Sequence, residues 1–397
     1  MRVVLVHNQY RSGSPGGEDV VFLEEKALLE SAGIEVQTYT RSNDEMRPNS
    51  LVDRARVLVG LRRSRRTRRD LNALLDQFKP DIVHCHNTFP LISVSAYESC
   101  RSRRIPVVQT VHNYRLVCAS GNHYRANAIC EECTPGRAWS AVRHACYMDS
   151  KAASLAVAGM ITANHRSKVY LELVDRYIAL NHFSLNRLVA MGIPSEKLII
   201  KPNFVSAPFP RPVESRQNYF LFAGRLSTEK GLEWLVSAWR QLQDIPLVIA
   251  GDGPLRDRLE QQVKVHGLPI RFLGMQSREA VRSLMAQSRG VVFPSLWFEG
   301  MPMTILEAWQ SEAPVICSSV GGLPELIRDD VDGLLVKPGD CLGLVAAVRR
   351  LTSDSLFGER LATSAIERVR SEFSSERNLE LLLDIYRTTI AGYAPQR

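Results

Sequence analysis

Two stretches of this chain gather residues that could grip a diphosphate and the hydroxyl groups flanking it. The first is Gly224-Arg225-Leu226-Ser227-Thr228-Glu229-Lys230-Gly231, set between an apolar run, Tyr219–Ala223, and a segment with helical apolar spacing at Leu232, Leu235, Val236 and Trp239. Arg225 and Lys230 therefore lie on a loop at a helix N-terminus, where free amides and the helix dipole already favour an anion. Two cations there can neutralise a diphosphate without a metal, each supplying at most about 4 kcal/mol at about 4 Å under a near-surface dielectric. The plain alternative is an exposed loop with a Glu229–Lys230 surface pair.

The second stretch is Phe293-Pro294-Ser295-Leu296-Trp297-Phe298-Glu299-Gly300-Met301-Pro302-Met303-Thr304-Ile305-Leu306-Glu307. Pro302 suits the first position of a helix. Glu299 then stands on the preceding loop and Glu307 about 1.5 turns inside, which separates the carboxylates by on the order of 10 Å along the axis. A retaining-glycosidase pair needs about 5 Å. The wider spacing suits two hydroxyl-bearing rings with a diphosphate between them; the plain alternative is a loop acid and a surface helix acid. Smaller signals accompany these. Gly251-Asp252-Gly253-Pro254 reads as a tight turn and a proline at a helix start, and Gly274-Met275 ends a strand where backbone could face a flat ring. Gly321-Gly322 precedes a further helix start.

Such residues need a frame, and the rest of the chain reads as one. In the first half, Arg2–Val6, Ile34–Tyr39, Asp81–Cys85, Pro106–Thr110, Gly159–Thr162 and Tyr177–Leu180 read as strands, with an amphipathic helix at Glu18–Ala32. The second half repeats the rhythm at Tyr219–Ala223, Leu247–Ala250, Ile270–Leu273, Val291–Phe293, Val315–Cys317 and Leu334–Val336. Strands separated by helices imply right-handed crossovers and parallel sheets. The expected fold is α/β, with two Rossmann-like doubly wound domains facing across a cleft. Ligands bind such sheets outside the carboxyl ends of the strands. Pro202, Pro208, Pro210 and Pro212 suit an extended linker. The expected division is 1–203, 204–378, and a C-terminal helix 379–397 that can cross back to the first domain.

Composition sets the outer limits. At 397 residues, 45% hydrophobic and 23% charged, the chain suits two globular domains. No apolar run reaches the roughly 18 residues of a membrane helix, and a cytoplasmic location is expected. The net charge of +8 is uneven, because residues 1–205 hold 28 Lys/Arg against 19 Asp/Glu. Arg62-Arg63-Ser64-Arg65-Arg66-Thr67-Arg68-Arg69 lies in a segment with helical apolar spacing at Val57, Leu58, Leu61, Leu71, Leu74, Leu75 and Phe78. This run could rest on an anionic membrane surface or be a solvated helix face. Nucleic-acid binding is not expected, since no nucleic-acid-binding motif accompanies it. Cys85, Cys100, Cys317 and Cys341 sit in or beside apolar segments as core thiols. Cys118, Cys130, Cys133 and Cys146 crowd one insertion, 113–148, and four thiolates there suit a structural zinc. Free thiols are the near alternative and disulfides the last.

The loop Gly224-Arg225…Glu229-Lys230-Gly231, the turn Gly251-Asp252-Gly253-Pro254, the glutamates Glu299 and Glu307, and Val320-Gly321-Gly322 together resemble glycosyltransferase family 4 over nearly the whole chain. That resemblance implies retaining enzymes of the GT-B fold, with an acceptor-binding first domain and a nucleotide-sugar-binding second. It implies that Arg225 and Lys230 hold the diphosphate of a UDP- or GDP-sugar, that Glu299 contacts the transferred sugar, and that Glu307 contacts the ribose. The donor site would also take in Gly274, Met275, Gly300 and Met301. In the first half, Gly16 and Gly17 match the loop whose amides approach the phosphates, and His112 the histidine near the donor sugar. His84-Cys85-His86-Asn87 would help shape an acceptor pocket. The family often reads Pro-Asn-Gly-Val entering the linker, where this chain has Pro202-Asn203-Phe204-Val205. The leaving diphosphate itself would take the acceptor's proton, so no side-chain nucleophile and no cofactor is required. The expected acceptor is a saccharide or lipid-linked molecule in surface polysaccharide assembly. Two rivals are weaker. A dinucleotide-dependent oxidoreductase would need Gly-x-Gly-x-x-Gly after the first strand, where Gly13, Gly16 and Gly17 are spaced otherwise. A non-catalytic nucleotide-sugar-binding protein would not need the glutamate pair.

Overall fold

The structure is a computed structural model that describes residues 1–13, 16–46, 60–206 and 216–393. It divides into two compact units, the first made of Met1–His123, Cys130–Pro202 and Asn378–Arg397, the second of Tyr124–Ile129 and Asn203–Arg377. The linker prolines Pro208, Pro210 and Pro212, and the apolar positions Val57 and Leu58, lie outside the described residues.

The first unit is built on β1 (Arg2–Gln9), β2 (Glu35–Ser42), β3 (Ile82–Cys85), β4 (Val107–Thr110), β7 (Arg176–Ala179) and β8 (Leu198–Ile200). All pair in parallel in the order β2-β1-β3-β4-β7-β8. β3 and β4 are buried along their whole length, as strands covered on both faces must be. The helix Gly17–Ser31 lays Val21, Phe22 and Leu29 into this core, and the last helix, Ser375–Gly392, adds Leu382, Ile385 and Tyr386. Full burial of such side chains contributes about 1.5–3 kcal/mol each. A short hairpin, β5 (Tyr124–Arg125) and β6 (Ala128–Ile129), is paired antiparallel within the 113–148 insertion.

Two expectations need correction here, and one strand, β8, was not expected. Gly159–Thr162 is not a strand but part of the helix Lys151–Arg166, capped by Ser150, whose hydroxyl accepts from the Ala153 amide. The β-branched pair Ile161-Thr162 suggests a strand, but Ser154, Val157, Ala158 and Ile161 form a buried stripe at helical spacing, packed on Ala138 and Ala141. β8 carries too few residues to stand out in the sequence. The basic run is not inside one helix: a new helix, Arg65–Phe78, starts after Ser64, whose hydroxyl accepts from the Thr67 amide.

The second unit has β9 (Phe220–Ala223), β10 (Leu247–Ala250), β11 (Ile270–Gly274), β12 (Gly290–Phe293), β13 (Val315–Ser318) and β14 (Leu334–Val336), parallel in the order β11-β10-β9-β12-β13-β14. All six strands fall where the sequence places them. Phe220, Phe222, Leu235, Trp239 and Ile249 lie at its core. Phe204, standing where a glycine is common, is buried at 1% exposure beside Val205, whose amide donates to the Phe373 carbonyl at 3.1 Å. Among the described residues, no helix is long and apolar enough to cross a membrane.

Candidate active site

β9 ends at Ala223, and the chain turns through Gly224–Gly231 into the helix Leu232–Trp239. The loop after β12 runs beside it. The Leu296 amide donates to the Glu229 carbonyl at 2.8 Å, and a Cβ on Gly231 would stand 1.8 Å from the Pro294 carbonyl oxygen. Only glycine permits backbone that close, and Gly231 also adopts φ +71°.

This approach brings the two chemical stretches together. Lys230 Nζ lies 2.6 Å from Glu299 Oε1, and the same oxygen accepts from the Ser295 hydroxyl at 2.8 Å and the Trp297 indole at 2.6 Å. Glu299 is 6% exposed. Three donors converge on one carboxylate oxygen, while no hydrogen bond among the described residues reaches Oε2. The ammonium also stands 5.1 Å from the Trp297 ring and 5.4 Å from the Phe293 ring, within cation–π range. The Glu229–Lys230 surface pair is thus not formed; Glu229 instead accepts from the Ser227 hydroxyl. Arg225 is exposed.

Pro302 takes the cap position in extended conformation and the helix runs Met303–Gln310, one residue later than its sequence suggests. Pro254 likewise precedes its helix, Arg256–His266. Glu307 is no surface acid, at 9% exposure. Its Oε1 accepts from Arg278 Nε at 2.6 Å, with Arg282 at 3.8 Å. Gly274 closes β11 at φ +69°, and its carbonyl accepts from the Gly251 amide; Met275 is 55% exposed. Met301 is buried and holds Asn203, accepting from its side-chain amide at 2.8 Å. The Gly321-Gly322 turn grips Glu299 itself, since the Gly322 amide donates to the Glu299 carbonyl at 2.8 Å.

In the first unit, Gly16 caps the helix Gly17–Ser31, and its amide donates to Asp19 Oδ2 at 2.8 Å. Asp19 Oδ1 lies 2.7 Å from His7 Nε2. His86, Asn87 and His112 line a small cavity with Gln109, Asn113 and Arg115. His84 and Cys85 do not take part: both are fully buried, with His84 bonded to the Tyr386 hydroxyl at 2.8 Å and Thr110 at 2.7 Å. Burial holds the His112 imidazole well below its usual range, with His86 adding to the shift. Glu18 faces Asn113, which donates to it at 2.7 Å, and burial raises its carboxyl.

Cys118, Cys130, Cys133 and Cys146 carry free thiols. Burial, then the neighbouring Cys118, Cys146 and Cys130, push the Cys133 thiol up to about 11. The four gather around Cys133, but no three sulphurs come within 4.8 Å of one another; among the described residues that spacing is met by Glu25, His84 and His86.

The sequence reading missed several partners. Ser295 and Trp297 sit four and two residues before Glu299, within a motif already singled out. Arg278 carries no local signal, being 29 residues from Glu307. Glu25 had one: it falls on the helix face of Val21, Phe22 and Leu29, where a charge is out of place.

Two family models cover consecutive parts of the chain. "Glycosyltransferase Family 4" matches residues 15–207 and "Glycosyl transferases group 1" matches residues 206–370. The chain belongs to glycosyltransferase family 4. Its relatives include the alpha-D-kanosaminyltransferase of Streptomyces kanamyceticus, 33% identical over 190 residues, 45% of this chain and 49% of that protein. The O-antigen chain mannosyltransferase C of Escherichia coli is 31% identical over 176 residues, 44% of this chain and 47% of that protein. The match thus spans about half the length of each of these relatives. In fold, the chain matches Anabaena Alr3699/HepE in complex with UDP at a TM-score of 0.67 and 17% identity, over 98% of this chain and all of that one. The architecture is that of GT-B glycosyltransferases.

Proposed function

We propose that this chain is a retaining glycosyltransferase, moving a hexosyl unit from a nucleoside-diphosphate sugar to a saccharide or lipid-linked acceptor in surface polysaccharide or glycolipid assembly. The carrying observation is the Lys230–Glu299 cluster, a cation beside a helix start and an acid fixed through one oxygen. Lys230 and Arg225 take the donor diphosphate; the Gly16 amide, held by Asp19, is not free for it. Glu299 Oε2 accepts from a hydroxyl of the transferred sugar, and Glu307 from the ribose, with Gly274, Met275, Gly300 and Met301 around the nucleotide. His112 contacts the sugar. The anomeric carbon–phosphate oxygen bond breaks as the bond to the acceptor oxygen forms on the same face. The acceptor's proton passes to the leaving phosphate, so charge neutralisation and positioning supply the catalysis without a metal. UDP bound to the HepE protein supports a uridine diphosphate donor.

Screening UDP- and GDP-sugars for hydrolysis and transfer in EDTA tests this. One donor is expected to turn over at an undiminished rate. No turnover with any donor would favour a non-catalytic binder, and activity restored only by magnesium would end the metal-free site. The glutamates divide the work. Glu299→Gln is expected to cut turnover with little change in nucleoside-diphosphate affinity, whereas Glu307→Gln weakens that affinity several-fold. Calorimetry decides; equal effects, or tighter binding by the released Arg278, would refute the division.

Two further assignments belong to this reading. Cys118, Cys130, Cys133 and Cys146 hold a structural zinc, which draws in the thiols gathered around Cys133 and ties the irregular loops of the insertion together. Protein purified without a metal column should carry close to one zinc per chain, and a folded, zinc-free sample would remove the site. The protein also rests on an anionic inner membrane face through Arg65 and Arg68, exposed at the start of their helix, each adding about 1 kcal/mol. Arg63 and Arg66 are already paired with Glu98 and Glu45. Flotation with phosphatidylglycerol vesicles should fall in high salt and in Arg65→Ser/Arg68→Ser; equal flotation with neutral vesicles would count against it.

A further inference from the structure

Behind His112 the first unit carries a buried ion pair that the chemistry above does not use. Glu25 and Lys201 are 0% and 1% exposed, with Lys201 Nζ 2.6 Å from Glu25 Oε1. A buried pair is weak evidence of a stability role, because desolvation offsets most of the attraction. What the carboxylate faces is more telling. Its other oxygen, Oε2, lies 3.2 Å from His86 Nε2, an ion-pair distance outside hydrogen-bond geometry, and neither atom has a hydrogen-bond partner among the described residues, so each is the other's nearest polar match. His86 Nδ1 stands 3.1 Å from His112 Nε2, with the ring planes 18° apart and the centroids 5.4 Å apart, an edge-to-edge arrangement with the bond near both planes.

The protons in this row follow from the two ends. Burial lowers both His86 and His112, so each ring is neutral near pH 7 and carries a single N–H. Burial works to raise Glu25, but the Lys201 ammonium 2.6 Å away outweighs it and holds the carboxyl well below its usual range. An ionised carboxylate only accepts, so the His86 proton sits on Nε2. Nδ1 of His86 is then bare and must accept, which places the His112 proton on Nε2. His112 Nδ1 is left without a proton.

We propose that Glu25, paired with Lys201, is a positioning residue that acts through His86 to fix the tautomer of His112, so that His112 offers Nδ1 as a bare acceptor to a sugar hydroxyl. The ligand rests on the transferase reading; the order of protons does not. A metal is the other use for this cluster, since Glu25, His84 and His86 present ligand atoms within 4.8 Å of one another. The Lys201 ammonium already occupies the carboxylate, however, and both ring nitrogens of His84 are engaged.

Nitrogen-15 NMR of the full chain labelled at histidine, with His112→Gln to assign the signal, reads the tautomer directly. The expected result is Nε2 protonated and Nδ1 bare; a proton on Nδ1 would overturn the proposal. In Glu25→Leu/Lys201→Met, which removes both charges together, the His112 signal should become a mixture of tautomers. Turnover should drop about 10- to 100-fold, the range typical of lost second-layer hydrogen bonds, with nucleoside-diphosphate affinity unchanged. An unaltered tautomer in that variant, folded, would also overturn it, and if the variant does not fold the wild-type spectrum decides alone. The expected spectrum from a chain that transfers no sugar would sink the transferase reading and leave the relay standing.

Discussion

Lys230→Ala is expected to lower kcat/KM about 100-fold, roughly ten times the loss from Arg225→Ala. Both substitutions remove one cation from the proposed diphosphate site, which should cost at least about 1.4 kcal/mol, or tenfold. Lys230 has a second task. Its ammonium is 2.6 Å from Glu299 Oε1, on an acid that is 6% exposed. A hydrogen bond to a charged group contributes about 1.5–3 kcal/mol, so alanine also loosens the carboxylate that contacts the sugar. Ser295 and Trp297 would remain on Oε1, which should keep the loop folded. Steady-state kinetics on both variants, with melting curves alongside, checks the order. Equal losses would show that Lys230 acts on the diphosphate alone, and a loss under about threefold would remove it from the site.

The second unit was legible because its chemistry is local. Each strand is a short apolar run closed by a turn signal, and the loop after it carries the reactive residues, so strand positions and motif positions reinforce one another. Even Lys230 and Glu299, 69 residues apart, can be matched, since both follow strands that pair in the sheet. The boundaries were less legible. Pro302 and Pro254 read as first helical residues, but the chain takes another residue or two to turn, which no propensity fixes to that accuracy.

The first unit hid more, and its hidden parts are long-range. Glu25 and Lys201 are 176 residues apart and His84 meets Tyr386 across 302; no spacing rule reaches that far. Sequence could flag only the anomaly, a glutamate on an apolar helix face. His112 shows the same limit, because a lone histidine after a strand does not reveal the row behind it. The Gly159–Thr162 error has a different origin: four residues ending in the β-branched pair Ile161-Thr162 fit a buried strand as well as a buried helix segment, and the stripe that decides extends beyond them.

Gly321→Ala is the substitution expected to do the most damage with the smallest change in volume. Gly321 adopts φ +61°, and a Cβ there would stand 2.8 Å from the Glu299 carbonyl oxygen, 2.9 Å from its amide nitrogen and 3.0 Å from Phe298 Cα. Those neighbours are backbone, so relief requires moving the peptide that carries Glu299. A shift of about 1 Å in a positioning group can lower turnover on the order of 100-fold, and that loss is expected in kcat. Nucleoside-diphosphate affinity should hold, because Glu307 is tied to Arg278 on a helix beyond the turn. The backbone cost needs its own control, since a non-glycine residue in the left-handed region costs roughly 1–2 kcal/mol anywhere. Gly267→Ala supplies it: Gly267 has φ +57°, in the same unit, with nothing within 4 Å of its would-be Cβ. The two variants should melt within a few degrees of one another while only Gly321→Ala loses turnover. Equal kcat values for the two would mean that the grip of Gly321 on Glu299 has no part in catalysis.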